Sequence, residues 1–576
     1  MTPEATAPRT REISLGAIAW VAAAALFIGL RAAAAANLPV SGAELVHLTG
    51  AWQARLGVDD ARFVPTLFQS LSAVLLFGSS SENASRLLAL MATATTPLAL
   101  WYLRPRLGDA GALLALLFLA LDAPAILLGT TASALAFDYA AALWLLVLLL
   151  RAASLRWAWA AVGFVVATGG PLLLPLVAAY VVTLPRGRFA APGRIALDSQ
   201  AAVAWASAPA ILFAGGAALG VAGASSRFGL GWHGLVVPPF DLLSESFGGK
   251  WLTLTNGDAL LLYVLPLVVL GAAAWLAALA PAVRSLMAAP SPPAPGESDL
   301  DGEPAPTPRF ETPPVLLAWA LFAAAWLIVA ISAHSTVALT ALTMPLCLLL
   351  GPATVRACSA MAAASWRLAR VLLPAAALGA SIGLYYLVKW AAVEQVGGDR
   401  DQFIAAVAGL VALACLVYLA WAARETATLS AAALAVGLPL FAAGAFNVAL
   451  GPGGEPLVSP YSPGQAGELR DAALAAAGGP GAIAIHPSLE GEFAWPFRNS
   501  GDILIASRIP ETARVVIWPA DVAFPADATR FLGDWALTRR VFPPTGGLLR
   551  YLHWYIDRNR LTVTPAGIAV YTRTTP

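Results

Sequence analysis

The fold is decided within residues 15–45, which read LGAIAWVAAAALFIGLRAAAAANLPVSGAEL. The run from Leu15 to Leu30 is apolar, and a helix that crosses a bilayer needs about 20 residues of this kind. The apolar run ends before Pro39, and Glu44 follows in a polar segment. The stretch therefore predicts a first membrane span at about residues 14–31, with a carboxylate just beyond its outer end.

The composition of the whole chain agrees with this reading. Of its 576 residues, 59% are hydrophobic and 12% are charged, and the mean hydropathy is +0.74. Soluble domains carry about 25% charged residues, so an ordinary globular protein is excluded. The net charge of +1, with scattered positive residues, predicts no nucleic-acid partner. We therefore predict a polytopic α-helical membrane protein, surrounded by membrane lipids.

Hydropathy and length together predict about 13 transmembrane helices. They lie at about residues 14–31, 85–103, 110–129, 136–151, 156–168, 171–185, 201–223, 259–281, 315–333, 337–355, 371–391, 403–422 and 427–449. Asp122 precedes Pro124 within the third of these spans, which indicates a kink. Small residues such as Gly216 and Gly220 indicate close packing between helices.

The apolar run 64–77 could either cross the membrane or lie along its outer surface. If it does not cross and the N-terminus is cytoplasmic, most arginine-bearing loops fall in the cytoplasm, as the positive-inside bias requires. If it crossed, most arginines would face outward. We therefore predict a multi-pass protein of a bacterial plasma membrane, with a cytoplasmic N-terminus and an extracytoplasmic C-terminus.

Two segments differ from the apolar remainder. Residues 290–314 are Pro-rich and acidic, which predicts a disordered cytoplasmic linker within a transmembrane domain of residues 1–450. Residues 451–576 have a water-soluble composition and predict a small extracytoplasmic α/β domain. Its expected strands are Ala482–Ile485, Ile503–Ala506, Arg514–Trp518 and Ile568–Thr572, and its expected helices are Gly467–Ala477 and Ala526–Trp535.

Polar groups at the edges of spans are costly and need a reason. If the segment after the first span is helical, Glu44 and His47 share a face at spacing i, i+3. Glu44 is then a candidate site residue, and a solvated loop carboxylate is the alternative. Glu44 and His47 together form the first candidate site.

Three further residues are candidates on similar grounds. Asp138 lies at the outer end of a predicted span, where it is a site residue, a polar helix start or an interhelical hydrogen-bond partner. Arg86 opens a span and either binds an anionic group or extends to lipid head groups. His334 lies in a very short outer loop, where a lone histidine is more often structural.

Several familiar site patterns are absent from the sequence. None of the five histidines shows the spacing of metal ligands, so no metal site is assigned. The chain has no P-loop, no GxGxxG followed by an acid, and no GxSxG elbow. Transport driven by nucleotides and hydrolysis by serine therefore lose support. No cofactor is expected, and a divalent metal stays open.

Over residues 10–180 the chain resembles the C-type membrane glycosyltransferases, the group of protein O-mannosyltransferases and aminoarabinose transferases. The resemblance rests on a first span, the pair Ala43-Glu44, the apolar stretch Pro65 to Phe77, and Arg86 at the start of the next helix. The stretch Phe493-Ala-Trp-Pro-Phe-Arg498 is similar to a Trp-Pro…Arg pattern in bacterial relatives. In this chain Ala43 stands where the family usually has the Asp of an Asp-Glu pair.

The resemblance implies an enzyme that moves a sugar from a polyprenyl-phosphate donor to a lipid, glycan or protein acceptor outside the membrane. Glu44 would then be the base, and Arg86 or Arg31 would lie near the lipid phosphate. Asp138 would orient the sugar, with His47 and His334 as further substrate-binding residues. A flippase or transporter component for lipid-linked sugars and a catalytically degenerate scaffold of the same fold are the alternatives.

Overall fold

The structure is a computed structural model of the full chain. It describes residues 15–38, 42–56, 67–78, 82–151, 156–166, 199–226, 228, 269–271, 273, 336–363, 369–392, 399–423, 426–450, 463–477, 482–489, 493, 495–497, 503–523, 529–541 and 562–573. The predicted spans at 171–185 and 315–333, the predicted linker 290–314 and His334 lie outside these residues.

Helices dominate the part of the chain before residue 451. In chain order they are α1 (Leu15–Asn37), α2 (Gly42–Leu56), α3 (Leu67–Gly78), α4 (Glu82–Thr93), α5 (Thr96–Leu107), α6 (Asp109–Ala120), α7 (Ala123–Thr130), α8 (Leu135–Arg151), α9 (Arg156–Val166), α10 (Ser199–Ser225), α11 (Thr336–Ala363), α12 (Ala369–Ala392), α13 (Asp399–Ala423) and α14 (Thr426–Leu450).

Helix α1 shows why this region suits a membrane. Its buried residues recur at helical spacing, on the face that packs against α6, α7 and α14, and they are Ala23, Phe27, Leu30, Arg31 and Ala34. Its opposite face exposes large apolar side chains such as Leu15, Ile18 and Val21. An apolar face that is left exposed over a helix of about 34 Å matches the thickness of a bilayer core.

Among the described residues, α1 and the segment Ala433–Leu450 of α14 are long and apolar enough to cross a membrane. Helices α6 and α7 provide a third span if they are counted together. Of the predicted span 85–103, the structure makes two helices, α4 and α5, separated by a turn at Ala94 and Thr95. The total of 13 spans stays a prediction.

The predicted kink at Asp122 and Pro124 is confirmed. Helices α6 and α7 are bent by 68° relative to each other, so residues 110–129 do not form one straight span. Pro124 lies in the first turn of α7, where its missing N–H removes no helical hydrogen bond. All eight residues of α7 are buried, which places this short helix inside the bundle.

Helix α3 corresponds to the ambiguous run 64–77. Its 12 residues rise only about 18 Å, against the roughly 30 Å of a hydrocarbon core. Its polar residues Gln69, Ser70 and Ser72 are buried within the protein. This agrees with the favoured topology, in which the run does not cross.

Close contact between helices depends on glycine at several positions. A Cβ added to Gly216 of α10 would overlap the carbonyl oxygen of Ala160 in α9, and one added to Gly351 of α11 would overlap that of Gly111 in α6. The predicted packing role of Gly216 is therefore confirmed. Both helix pairs approach as closely as small residues allow.

After residue 462 the described chain forms a mixed sheet with one helix. Helix α15 (Pro463–Ala477) packs on a sheet of β1 (Ala482–Ile485), β2 (Ile503–Ile505), β3 (Ala513–Pro519), β4 (Thr529–Val541) and β5 (Thr562–Arg573). The strand order is β2-β1-β3-β5-β4. Strands β1, β2 and β3 are parallel, and β5 is antiparallel to both of its neighbours. The domain boundary and the extracytoplasmic side stay predictions.

The helix predicted at Ala526–Trp535 is wrong. Residues 529–541 form β4, which pairs with β5 from Thr529 opposite Arg573 to Val541 opposite Thr562. A helix here would satisfy its own backbone groups but would leave one edge of β5 unpaired, and pairing along the whole of β5 outweighs the local preference of the sequence. The four predicted strands and the helix predicted at Gly467–Ala477 are present; their ends agree within a residue or two, except that β5 begins at Thr562 and the helix begins at Pro463.

Candidate functional site

The candidate site is built where α1 ends and α2 begins. Glu44 lies in the first turn of α2, where the dipole of the helix favours a negative charge. Its side chain has no exposed surface. The alternative of a solvated loop carboxylate is therefore wrong, because the carboxylate is enclosed by protein.

Arg86 of α4 is the partner of this carboxylate. Its Nε donates to Glu44 Oε1 at 2.6 Å, and its Nη2 donates to Glu44 Oε2 at 2.8 Å. The guanidinium and carboxylate planes thus meet in the bidentate arrangement that suits arginine. The Arg86 side chain is 6% exposed, so the pair is buried on both sides.

The remaining terminal nitrogen of Arg86 closes the end of α1. Nη1 donates to the carbonyl oxygen of Ala35 at 2.7 Å and to that of Leu38 at 3.0 Å. The last carbonyl groups of a helix lack partners within it. For Ala35 the partner four residues on would be Pro39, which has no N–H. The guanidinium of Arg86, on α4, is therefore hydrogen-bonded both to the end of α1 and to Glu44 of α2.

A backbone amide also contacts Glu44. The N–H of Ala132 donates to Glu44 Oε1 at 2.8 Å from the loop between α7 and α8. Sequence reasoning missed this contact, since a backbone amide leaves no mark in the sequence. Glu44 thus accepts three hydrogen bonds that join α2, α4 and the loop 131–134. We call Glu44, Arg86 and Ala132 the carboxylate site.

His47 lies one turn after Glu44 and is buried as well, 4% exposed, so the predicted shared face is confirmed. Its ring meets the ring of Phe68 edge-on, with centroids 6.2 Å apart. Burial lowers the pKa of His47 from 6.5 to about 3. The imidazole is therefore neutral at pH 7, where it offers an uncharged hydrogen-bonding group and not a cation.

Asp138 lies in the first turn of α8 and is 1% exposed. Its backbone N–H donates to the carbonyl oxygen of Ala134 at 3.1 Å, at the end of the loop that carries Ala132. Asp138 therefore follows the loop that carries Ala132 and is hydrogen-bonded to the end of that loop. Its predicted role in orienting a sugar stays a prediction.

Arg31 occupies a different place, deeper along α1. Its Nη1 and Nη2 donate to the carbonyl oxygens of Phe27 and Leu119, each at 3.2 Å, and its guanidinium stacks 3.4 Å from the centroid of the Phe27 ring. The residue is fully buried. This gives Arg31 a structural role between α1 and α6, and its predicted contact with a lipid phosphate stays a prediction.

Arg31 belongs to a group of polar side chains inside the helical bundle. It interacts electrostatically with Asp122 and Tyr139, and Thr343 Oγ1 of α11 donates to Asp122 Oδ2 at 2.6 Å. We call Arg31, Asp122, Tyr139 and Thr343 the inner polar cluster. Sequence reasoning found Asp122 only as the cause of a kink and missed Thr343, because hydroxyl side chains are common in apolar helices.

We call α15, the strands β1–β5 and the described residues between them the sheet domain, and α1–α14 the helical domain. Among the described residues, Trp495 of the sheet domain packs beside the carboxylate site. Trp495, from the Trp-Pro motif, is 4% exposed and packs in a cluster with Leu48, Phe68, Ala132 and Phe137. Its ring meets that of Trp52 in α2 edge-on, with centroids 6.3 Å apart. Apolar side chains from both domains therefore cover the segment that carries Ala132.

No group of three or more His, Cys, Asp and Glu side chains in the described ranges could hold a metal ion. The sequence matches no protein-family model and no curated protein. Its fold is similar to the crystal structure of ArnT from Cupriavidus metallidurans bound to undecaprenyl phosphate, with a TM-score of 0.51 and 16% sequence identity. The similarity covers 88% of this chain and 93% of that chain. The chain therefore has a fold like that of the C-type membrane glycosyltransferases, as the sequence predicted.

Proposed function

We propose that the protein is a membrane glycosyltransferase that moves a sugar from a polyprenyl-phosphate donor to a lipid, glycan or protein acceptor on the outer side of the membrane. The observation that carries the proposal is the fold, which this chain shares over 88% of its length with ArnT bound to undecaprenyl phosphate. The carboxylate site supports it, because an acid and a cation meet beside the end of α1.

The proposed reaction needs one carboxylate. Glu44 takes the proton of the acceptor hydroxyl while the hydroxyl oxygen bonds to the anomeric carbon of the sugar. The bond between that carbon and the phosphate oxygen breaks, and the polyprenyl phosphate leaves with the electron pair. The leaving group departs as an anion, so it needs a cation rather than a general acid, and Arg86 supplies that cation.

Arg86 links these two roles. A guanidinium binds a phosphate with the same bidentate geometry with which it binds a carboxylate. In the structure both oxygens of Glu44 accept hydrogen bonds from Arg86. We propose that the donor phosphate takes the place of the carboxylate on Arg86, which leaves Glu44 able to accept a proton. Asp138 orients the sugar, and His47 and His334 contribute polar contacts to the bound substrates.

The experiment is a transfer assay in nanodiscs with a panel of undecaprenyl-phosphate-linked sugars and a membrane-lipid extract as acceptor. Glu44→Gln keeps the size of the side chain and one acceptor oxygen, replaces the other oxygen with an NH2 donor, and removes the base. The expected result is a loss of activity of about 10²–10⁴-fold, the usual contribution of a general base. Full activity in this variant would remove Glu44 from the base role.

Asp109→Asn is the matched control. Asp109 is an exposed carboxylate that also faces an arginine, Arg104, at 3.7 Å, but it lies at the start of α6 and outside the carboxylate site. This variant is expected to keep wild-type activity. Equal losses in both variants would indicate a general effect of removing negative charge.

A catalytically degenerate scaffold is the second candidate, and one observation favours it. Glu44 is held by three hydrogen bonds, and Ala43 stands at the position of the other acid of the family pair. A protein that binds undecaprenyl phosphate and transfers none of the sugars in the panel, from wild type or variant, would support the scaffold over the enzyme.

A further inference from the structure

The inner polar cluster holds the break between α6 and α7. Asp122 lies at the N-terminal end of α7 and is fully buried. Its Oδ2 accepts the hydrogen bond from Thr343 Oγ1 at 2.6 Å, which ties the break to α11. A buried acid inside a membrane bundle is costly, and such residues usually serve a function.

Arg31 holds the same break from the other side. Its Nη2 donates to the carbonyl oxygen of Leu119, one of the last four residues of α6. Carbonyl groups at this end of a helix have no partner within it, so the guanidinium supplies one. The end of α6 is thus bonded to α1, and the start of α7 is bonded to α11.

The far end of α7 is confined as well. A Cβ added at Gly129 would lie 3.0 Å from Thr93 Cγ2 and 3.2 Å from Arg31 Nε, which is tighter than ordinary van der Waals contact. Helix α7 therefore has little freedom to slide or turn between α1, α4 and α11. Arg31 therefore lies beside both ends of α7. It donates to the carbonyl oxygen of Leu119, before α7, and its Nε lies close to Gly129, in the last turn of α7.

Helix α7 leads directly into the loop that carries Ala132. The N–H of Thr131 bonds to the carbonyl oxygen of Leu127, which closes the helix. The next residue, Ala132, donates its N–H to Glu44 Oε1 at 2.8 Å. The position of this amide is therefore set by the position of α7, over a helix about 12 Å long.

We infer that Asp122, Thr343 and Arg31 are positioning residues that hold the Ala132 amide against Glu44 through α7. A polar connection suits this task, because a buried hydrogen bond is directional and selects one arrangement of the helices, whereas apolar packing tolerates sliding. The inference concerns the carboxylate of the proposed function, but the contact that it predicts is measured without sugar transfer.

The test measures hydrogen exchange of the backbone amides in residues 131–134, in the full protein in nanodiscs. Thr343→Val keeps the shape of the side chain and removes the hydroxyl that bonds to Asp122. Exchange in these residues is expected to become about 10-fold faster, because a buried hydrogen bond that holds the segment is lost. Thr343→Ser restores the hydroxyl and is expected to restore wild-type exchange.

Thr354→Val is the matched control. Thr354 lies on the same helix, and its hydroxyl donates to the carbonyl oxygen of Leu350 within that helix at 2.7 Å. This variant is expected to leave exchange in 131–134 unchanged. Unchanged exchange in Thr343→Val, or equal acceleration in both valine variants, would overturn the inference.

Two further measurements keep the inference falsifiable. If Thr343→Val does not yield folded protein, Asp122→Asn replaces it. This variant keeps one oxygen that can accept from Thr343 and replaces the other with an amide NH2 group, so exchange is expected to rise less than 10-fold but measurably. Wild-type exchange in this variant would contradict the inference. In the transfer assay, Thr343→Val is expected to lower kcat and leave KM for the donor unchanged, since Glu44 acts in the chemical step. If wild-type protein transfers no sugar, the proposed function fails, and the exchange result still decides the inference.

Discussion

At the scale of single residues, Arg86 shows how one side chain serves two purposes. Its guanidinium binds the carboxylate of Glu44 and also the terminal carbonyl groups of α1 at Ala35 and Leu38. Removing one partner of a buried pair leaves the other charge uncompensated, which costs about 3–5 kcal/mol in typical cases. A loss of activity in an Arg86 variant would therefore need a measurement of folding before it is assigned to chemistry. Glu44→Gln needs the same measurement, because it leaves the guanidinium of Arg86 without its counter-charge.

His47 leads to a prediction about pH. Its pKa is about 3 in the folded protein, against about 6.5 in an unfolded chain. Between these values the unfolded state binds a proton that the folded state does not, so the free energy of unfolding falls as the pH is lowered from about 6.5 towards 3. The slope is at most about 1.4 kcal/mol per pH unit for one group.

The measurement is thermal unfolding in nanodiscs between pH 7.5 and 4.5. His47→Phe is expected to lose part of the decrease in stability at low pH, since a phenyl ring fills the buried site and takes up no proton. Thr354→Val, which removes no titratable group from α11, is the control and should keep the wild-type slope. An unchanged slope in His47→Phe would contradict a neutral, buried His47.

At the scale of elements, the close contact between α6 and α11 brings two residues of the inner polar cluster, Asp122 and Thr343, within hydrogen-bonding distance. The two helices touch at Gly111 and Gly351, where a Cβ on Gly351 would overlap the carbonyl oxygen of Gly111. Thr343 lies two turns before Gly351 on α11, and Asp122 follows α6. The hydrogen bond between their side chains therefore depends on this close approach.

Gly351→Ala is expected to force the two helices apart and to destabilise the protein by at least about 1–3 kcal/mol, the usual effect of overpacking. The measurement is the shift in unfolding temperature in nanodiscs. Gly409→Ala on α13 is the control, because nothing lies within 4 Å of a Cβ at that position, and it should be neutral or slightly stabilising. Equal shifts in the two variants would contradict close packing at Gly351.

At the scale of the whole molecule, the two domains meet beside the carboxylate site. Trp495 lies between β1 and β2 in the chain, and its side chain packs with Trp52 and Phe137 of the helical domain. Tryptophan buries a large apolar area and dominates the contacts that it makes. The sheet domain thus contributes to the surroundings of α2, on which Glu44 and His47 lie.

Trp495→Ala is expected to leave a cavity there and to cost about 3–5 kcal/mol, with faster hydrogen exchange in α2, residues 42–56. Trp495→Phe should recover most of the protection. Trp157→Ala is the control, since Trp157 is 53% exposed on α9. If Trp495→Ala leaves exchange in α2 unchanged, the contact between the domains does not stabilise the site.

The extent to which the sequence predicts this structure varies with the range of the interactions involved. Helices at Leu15–Asn37, Leu135–Arg151 and Thr426–Leu450 follow from runs of apolar residues at helical length, since the cost of exposing a backbone to lipid acts on each segment by itself. The kink at Asp122 and the shared face of Glu44 and His47 are local too. The strand at 529–541 was not predicted, because its partner lies elsewhere in the sequence.

The sequence by itself determined a helical membrane protein with an acid after its first span, because hydropathy and charge act over one or two turns of helix. Only the tertiary structure decided that Glu44 meets Arg86 across 42 residues and the Ala132 amide across 88, and that Thr343 bonds to Asp122 across 221. A buried charge must find its partners somewhere in the folded chain, and packing, rather than the sequence near that charge, determines which groups come within reach.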